Sequence, residues 1–560
     1  QLCLSKTSVE MGNGNGCCHD EPPTAVPVEV TAWNGKNGNG ENESEDEESK
    51  SKSSPNHSPV DLGRVPTITI VPAPPIPVDN SGKLSRLQNM DHLEVDKEIL
   101  RGISLSVSLL RGGKLWRTSP LDMPEQERRN LWKRSQPVDH FDIFLSHTWL
   151  TSGRLKVLSL LFQSGWKFAI FCWFLSVTLA DILVLTEVLP MTSRYPVDMW
   201  DFQGDIHISF WPLLSGFFGT FLGLLLAPYA NRLSTTPKMC FLDLVSIHQT
   251  DQELMERGIY GLGGFLQVSK ELRVLWSAPY LSRLWCIFEL AAYRSANPNG
   301  KITLKPLFVE RGILLLVLGS YFASLLFFLA EVLNVNQAYI MVALLPVLPM
   351  VHILRWNIRE KFKLLSDLKD FDLEQAFCRT EFDRNFVHGA IEKWYGSKDA
   401  FMRYVRGPLR EELMVQQSTY VPFGYFLLVS TATFSASMNT TTGMIKAKTP
   451  VDCILSEFLG HGVGFYVFWF VSCLKISLSL TEQIAIPWCR GYVMNWLQSF
   501  LMFLVFVALY ATGFYVSSVA YQHSLEASLI WLAFSFLCCT MCFCVPRCVD
   551  GMRRILGRVL

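Results

Sequence analysis

The chain has 560 residues, of which 49% are hydrophobic and 12% aromatic, with 38 Phe, 16 Trp and a mean hydropathy of +0.22. Fifty basic side chains balance fifty acidic ones, and no basic patch is interleaved with aromatics, so the composition argues against a nucleic-acid partner. The apolar excess points instead to an integral membrane protein whose partner is the lipid bilayer.

Residues 1–98 are expected to form a disordered tail. Most of this stretch is rich in Gly, Asn, Ser, Glu and Pro, with an acidic run at 41–48 and a Pro-rich stretch at 72–77, and it lacks a helical or strand period. From His140 to His147 (HFDIFLSH) the sequence reads as a first strand with a polar exit. A helix from Gly153 then runs into two long apolar stretches, 166–189 and 210–230, each near the ~20 residues needed to cross a bilayer. A hairpin of this kind leaves and re-enters on one face, so it can interrupt a soluble fold without breaking it.

Lys238 to Asp243 (KMCFLD) reads as a second strand ending in an acid, and 252–262 (QELMERGIYGL) as a loop leading into a helix. Leu272 to Trp276 is a short continuous apolar run of the kind found in buried parallel strands. Ser277, Pro279 and Ser282 mark the turn after it, and apolar residues at helical spacing from Trp285 to Ala292 surround one acid, Glu289. A carboxylate in such company is partly desolvated, which favours its neutral form and suits it to proton transfer or to holding a ribose hydroxyl. The alternative is a simple ion pair with Arg283 or Arg294.

These pieces, in this order, resemble the Toll/interleukin-1 receptor homology (TIR) domain of the plant and microbial kind. FDIFLSH resembles the first box of the family, FLD with ELMERG its second strand and following loop, and SAPYLSRLWCIFEL its fourth-strand exit and glutamate-bearing helix. The resemblance implies a flavodoxin-like α/β fold with a parallel sheet, over 138–154 and 231–310, interrupted by a transmembrane hairpin at 155–230. It also implies cleavage of the nicotinamide–ribose bond of NAD+, with NAD+ as substrate, no permanently bound cofactor and no metal. Glu289 would carry the reaction. Ser146, His147 and Ser277 would line the cleft from the strand exits and Trp285 would supply an apolar wall. The partners implied are other TIR domains, including copies of this chain. The chain departs from the plant pattern at Ser146-His147-Thr148-Trp149, where the family has a Phe-Arg-Gly type turn, and at 244–251 (LVSIHQTD), which is longer and more polar. His147 and His248 are either an acid/base pair or hydrogen-bonding loop residues.

Six further spans are expected near 312–331, 338–354, 421–438, 459–480, 499–521 and 528–545, making eight in all, grouped as a pair over 311–354 and four over 421–560. A cytosolic helical region is expected at 355–420. Lys and Arg concentrate in 231–311, in 355–410 and in the tail after Arg547, so the positive-inside rule puts both termini and the TIR-like pieces in the cytosol. Asn439-Thr440-Thr441 has the form of a glycosylation acceptor in a short outer loop. Asp181, Glu187 and Lys475 lie at or near membrane depth, where ionisable groups suggest an ion or substrate pathway; the alternative for Asp181 and Glu187 is a place near the end of the first span, where snorkelling costs little. Cys538, Cys539, Cys542, Cys544 and Cys548 straddle a span end, a setting for palmitoylation or packing rather than zinc. The sequence therefore supports a signalling protein with a TIR-like domain, against a transporter or channel with a non-catalytic TIR-like module, or a TIR scaffold.

Overall fold

The computed structural model describes residues 96–119, 122–232, 236–333, 344–345, 347–378, 381–416, 421–485 and 491–559. The expected tail lies outside the described residues up to position 95, as do positions 338–343 and 346 of the span expected at 338–354.

A six-stranded, mostly parallel sheet forms the core of the α/β part. Its strands are β1 (Arg101–Ser104), β2 (Gln136–Pro137), β3 (Ile143–Ser146), β6 (Met239–Phe241), β7 (Glu271–Trp276) and β8 (Lys301–Pro306), while β4 (Ser193–Met199) and β5 (Phe202–Ile208) form a separate antiparallel hairpin. The sheet order is β2-β1-β6-β3-β7-β8. β3 pairs in parallel with β6 (Ile143 with Cys240, Phe144 with Phe241) and with β7 (Phe144 with Leu272, Ser146 with Val274), so segments almost a hundred residues apart become neighbours. All four residues of β3 are buried, as expected of a strand covered on both faces. Phe144 stacks on Phe241 at 4.3 Å between ring centroids, and Phe265 closes the group at 5.1 Å from Phe241.

β1 and β2 lie outside the boundaries expected for the α/β part and add an antiparallel edge, β1 pairing with β6 through Ile103 and Cys240. The strand is only four residues long and β2 only two, too short to show a period in the sequence.

The helices are α1 (Leu105–Arg117), α2 (Glu125–Trp132), α3 (Gly153–Leu185), α4 (Trp211–Arg232), α5 (Asp243–Ser246), α6 (Gln252–Tyr260), α7 (Leu262–Gln267), α8 (Leu284–Ala296), α9 (Leu307–Val332), α10 (Val347–Lys369), α11 (Glu381–Tyr395), α12 (Lys398–Tyr404), α13 (Arg410–Gln416), α14 (Phe423–Lys446), α15 (Val451–Gln483, with a π-helical stretch Glu457–Trp469), α16 (Tyr492–His523) and α17 (Leu525–Val559). Among the described residues six helices are long and apolar enough to cross a membrane, namely α3, α4, α9, α15, α16 and the apolar part of α17, Leu525–Cys544. The chain is a multi-pass membrane protein.

These six coincide with six of the eight expected spans; of the other two, the one at 338–354 lies partly outside the described residues, its described part falling largely in α10. The stretch expected as a span at 421–438 lies in α14, which is rich in Ser and Thr and is enclosed by α3, α4, α9 and α15. Its first turn meets α9 through Tyr425 and Glu310, and its last turn meets the β4–β5 hairpin, where a Cβ on Gly443 would come within 2.5 Å of the His207 carbonyl. α14 thus runs the length of the bundle as a central helix, with its polar residues facing protein. For the same reason Asn439 is no loop acceptor: it is 4% exposed inside α14, out of reach of a glycan.

Where α3 and α4 pack, small residues let the backbones approach. A Cβ on Gly223 would lie 2.7 Å from the Ala169 Cα, and one on Gly219 would lie 2.9 Å from the Cys172 carbonyl. At the far end of the bundle from the sheet, Val197, Met199, Ile206 and Ile208 of the hairpin pack with Phe328, Met444 and Cys453.

Candidate functional site

The parallel strands run in the order second, first, third, fourth along the chain, so the crevice between β3 and β7 is the topological switch point where open α/β sheets place their ligands. Ser146 ends β3 and Ser277 follows β7. The two exits are joined across the crevice by a 2.6 Å hydrogen bond between the hydroxyls of Ser277 and Thr151.

Glu289 reaches this crevice from the second turn of α8. Apolar positions around the whole helix make it fully buried, and the turn before it is clamped by main-chain bonds from Leu284 N to Phe377 O (3.1 Å) and from Phe377 N to Ser282 O (2.7 Å). The Ser146 hydroxyl donates to the Glu289 carboxyl and also contacts the Tyr280 hydroxyl at 2.5 Å. Glu289 is only 7% exposed, and burial pushes its carboxyl up to about 8, against the opposing pull of the Ser146 hydrogen bond. At neutral pH the group is therefore mostly protonated. Burial also raises the Tyr280 phenol well above its ordinary range.

The ion-pair alternative for Glu289 fails. Arg294 makes a two-pronged bond to Glu412 of α13 (2.7 and 2.9 Å), and Arg283 lies over the Phe377 ring at 5.0 Å.

His147 sits beside this network, boxed by the rings of Trp116 at 5.2 Å and Trp149 at 5.0 Å. Burial, with the nearby Lys156 amine, lowers its imidazole to about 4, so it is neutral at pH 7. Its Nε2 lies 3.9 Å from Asp243 and has no hydrogen-bond partner, so a neutral ring makes no ion pair there. Asp243 instead accepts a 2.7 Å bond from the Trp149 indole, and the buried Lys156 amine lies 4.7 Å over the same indole without a hydrogen-bond partner.

His248 stands apart from His147. Its Nδ1 accepts from Asp251 N at 2.8 Å and its ring packs at 5.2 Å from Trp132, and burial lowers it. Trp285 packs on Phe288 (5.4 Å) and on Phe386 of α11 (6.0 Å), in the core between α8 and the 371–416 helices. The structure thus brings Ser146 and Glu289 into contact, sets His147 and Ser277 at the two strand exits beside them, and gives Trp285 an aromatic cluster of its own.

Sequence reasoning named Asp243 as the acid ending the second strand and Trp149 in the turn after the first, without giving either a role in the site, and it did not single out Tyr280, Lys156 or Trp116. Tyr280 and Asp243 stand in the two segments that carry the family resemblance, and a search for polar residues at strand exits would have found both. Trp116 and Lys156 carry no such signal, since the first sits in a kinked helix and the second opens a membrane span. Among the described residues no three His, Cys, Asp or Glu side chains gather as metal ligands.

No protein-family model, curated protein or solved structure matches the chain. Function must therefore be argued from the site itself.

Of the ionisable groups expected at membrane depth, Asp181 accepts a 2.9 Å bond from Thr442, Glu187 lies past the end of α3 near Lys446 (3.4 Å), and Lys475 lies over Phe543 at 5.8 Å. Two more buried acids escape notice in the sequence: Glu310, held by Ser159, and Glu457, held by Ser437 and Thr441.

Proposed function

We propose that this is a membrane signalling protein whose sheet domain is a TIR-like module facing the cytosol, in a closed state, and that on opening Glu289 supports cleavage of NAD+. The observation that carries the reading is the contact of Glu289, on the helix after β7, with Ser146 at the exit of β3. It sets a carboxyl at the switch point of a parallel sheet, with a raised pKa and a hydroxyl partner.

The chemistry asks for little else. Breaking the C1′–N bond sends its electron pair to the pyridinium nitrogen, releasing neutral nicotinamide. The oxocarbenium character left on the ribose is stabilised by a neighbouring carboxylate until water adds and loses a proton. A protonated, sealed Glu289 cannot supply that charge. Opening the crevice hydrates the carboxyl, lowers its pKa towards the usual value and produces the anion where it is needed. The residues at the exit of β3, 147–152, lead into α3, and α9 begins at the residue after β8, so the sheet is joined to membrane helices by one short connection and one direct one. A displacement of either helix reaches the crevice directly. Copies of the chain meeting through their TIR-like modules would be one source of that displacement.

The sealed state of Glu289 also favours a second reading, in which the module is non-catalytic and serves the membrane bundle as a docking or regulatory part of a transporter or channel. One experiment separates the two. The full chain in lipid nanodiscs is incubated with NAD+ and nicotinamide is measured beside Glu289→Gln, which preserves shape. Release by the wild type alone supports cleavage at Glu289. Equal release by both overturns it, and release by neither favours the non-catalytic module.

A further inference from the structure

The membrane bundle encloses a cavity of about 470 Å³ between α9, α14, α15 and α16, within the range of about 300–1,000 Å³ typical of small-molecule sites. We infer that it is a binding site for a neutral, hydroxyl-bearing lipid of the sterol class, entering from the bilayer beside the β4–β5 hairpin.

Three observations fix that chemistry. First, among the described residues no Asp, Glu, Lys, Arg or His lines the cavity, so a fatty-acid carboxylate or a phosphate head would be buried without a counter-charge. Second, the lining is graded. The end at Leu316, Met350, Leu474 and Phe506 is apolar, the walls carry single hydroxyls from Ser320, Ser324 and Thr433, and Ser518, Tyr521, Gln522 and hairpin residue Tyr195 gather polar groups at the other end. That second end lies at the bundle boundary, because Trp200 of the hairpin turn donates to the Gln522 carbonyl at 3.2 Å. Third, two of the residues that α16 gives to the lining are also exposed on the outside of the bundle, which points to a sideways mouth there. Tyr515 is 70% exposed and Val519 48%, on a helix apolar enough to face lipid, so the mouth is towards the membrane at the depth where an amphipathic lipid keeps its head.

Phe470, Tyr510 and Phe514 supply broad ring faces along the wall. Such walls match a rigid fused-ring body, which loses little conformational freedom on binding, better than a flexible acyl chain. The hydroxyl of the ligand meets Gln522 and Ser518, and its ring system occupies the space down to Leu474.

The test uses the full chain in phosphatidylcholine nanodiscs, with radiolabelled cholesterol as the probe. Saturable binding of about one cholesterol per chain is expected, with a photoreactive cholesterol analogue cross-linking to α9, α14 or α16. Ala436→Phe, which fills the cavity from α14, should abolish saturable binding, and Gln522→Leu should weaken it about tenfold, the effect of losing one partly buried hydrogen bond. Gln522 is exposed, so its variant remains informative should the filled variant fail to elute as a folded monodisperse species. Absence of saturable binding overturns the inference, as does binding unchanged in Gln522→Leu and in a folded Ala436→Phe. Displacement by oleate as effective as displacement by unlabelled cholesterol overturns the neutral-ligand assignment.

Discussion

Replacing Glu289 by Gln should change how stability depends on pH, read above the range in which His147 titrates and as a difference in which every group common to both proteins cancels. The folded-state pKa of about 8 lies above the ordinary 4.5, so the unfolded chain loses this proton first as pH rises. The stabilising contribution is complete below about 4.5, falls as pH rises, and is lost once pH has passed through about 8. Integrated over the whole interval the loss is about 5 kcal/mol, taking ~1.4 kcal/mol per pH unit, and this is an upper bound for a group that can relax. His147 acts with the opposite sign. Its folded pKa of about 4 lies below the ordinary 6.5, so it adds stability as pH rises towards 6.5 and nothing above. Between pH 6.5 and 8 the Glu289 contribution stands free of it, and wild type should lose about 2 kcal/mol there relative to Glu289→Gln. The Gln amide fills the same volume and can bond to Ser146, so the variant keeps the packing while abolishing the titration. The measurement is native-state hydrogen exchange of the β3 and β7 amides in nanodiscs, corrected for intrinsic exchange, at pH 6.5, 7.2 and 8 for both proteins. Identical slopes would show that the carboxyl is not held neutral by burial, and the closed-state argument would fail with it.

Other substitutions follow from the same contacts. Ser146→Ala removes a hydrogen bond that opposes the rise in the Glu289 pKa, so the fall in stability should extend to higher pH, with about 1 kcal/mol lost at pH 6.5 by the same exchange measurement. Gly223→Leu cannot be seated 2.7 Å from the Ala169 backbone; α3 and α4 should separate, lowering the melting temperature and raising exchange in both helices, with a cost of at least about 1–3 kcal/mol. Arg294→Ala breaks the two-pronged bond to Glu412 and leaves Pro298 and Gly300 carbonyls without their donor, so α13 should become protease-sensitive, with about 1–3 kcal/mol lost in its docking.

Much of the sheet was legible because buried parallel strands announce themselves. FDIFLSH, KMCFLD and LRVLW are continuous apolar runs ending in polar exits, and their expected pairing across the membrane insertion is the pairing observed between Ile143 and Cys240. Glu289 was legible for the same reason in reverse, as the one acid in an apolar helix. The antiparallel edge was not, since two- and four-residue strands carry no period and take their place only through β6. α14 was legible as a helix of the bundle, expected at 421–438 and found at Phe423–Lys446, but its enclosure was not: hydropathy distinguishes lipid from water, and a helix whose Ser and Thr face other helices meets neither. Trp285 illustrates a further limit. Its position four residues before Glu289 puts both on one side of α8, but the segment that covers the tryptophan, around Phe386, lies about a hundred residues later.

The structure sharpens what Glu289 can do. A carboxyl that is protonated because it is sealed serves as an anion only when its seal is broken, and the seal here is made of two parts with different attachments. One part, Tyr280, belongs to the loop before α8, whose main chain is clamped at Ser282 and Leu284 by Phe377. The other, Thr148 to Ser152, is tied to the sheet by the Thr151–Ser277 and Trp149–Asp243 bonds and continues directly into a 33-residue membrane helix. The second part continues straight into a membrane helix, whereas the clamped part is tied through Phe377 to the stretch that follows α10. A displacement of α3 would have to break at least these two side-chain bonds, together worth about 1–3 kcal/mol, to admit water to Glu289. Removing both, as Thr151→Val with Trp149→Phe, should raise exchange at the β3 exit and shift the Glu289 titration towards the ordinary carboxylate range. Were the titration to stay near 8 in that double variant, the second part of the seal would not be what keeps the carboxyl neutral.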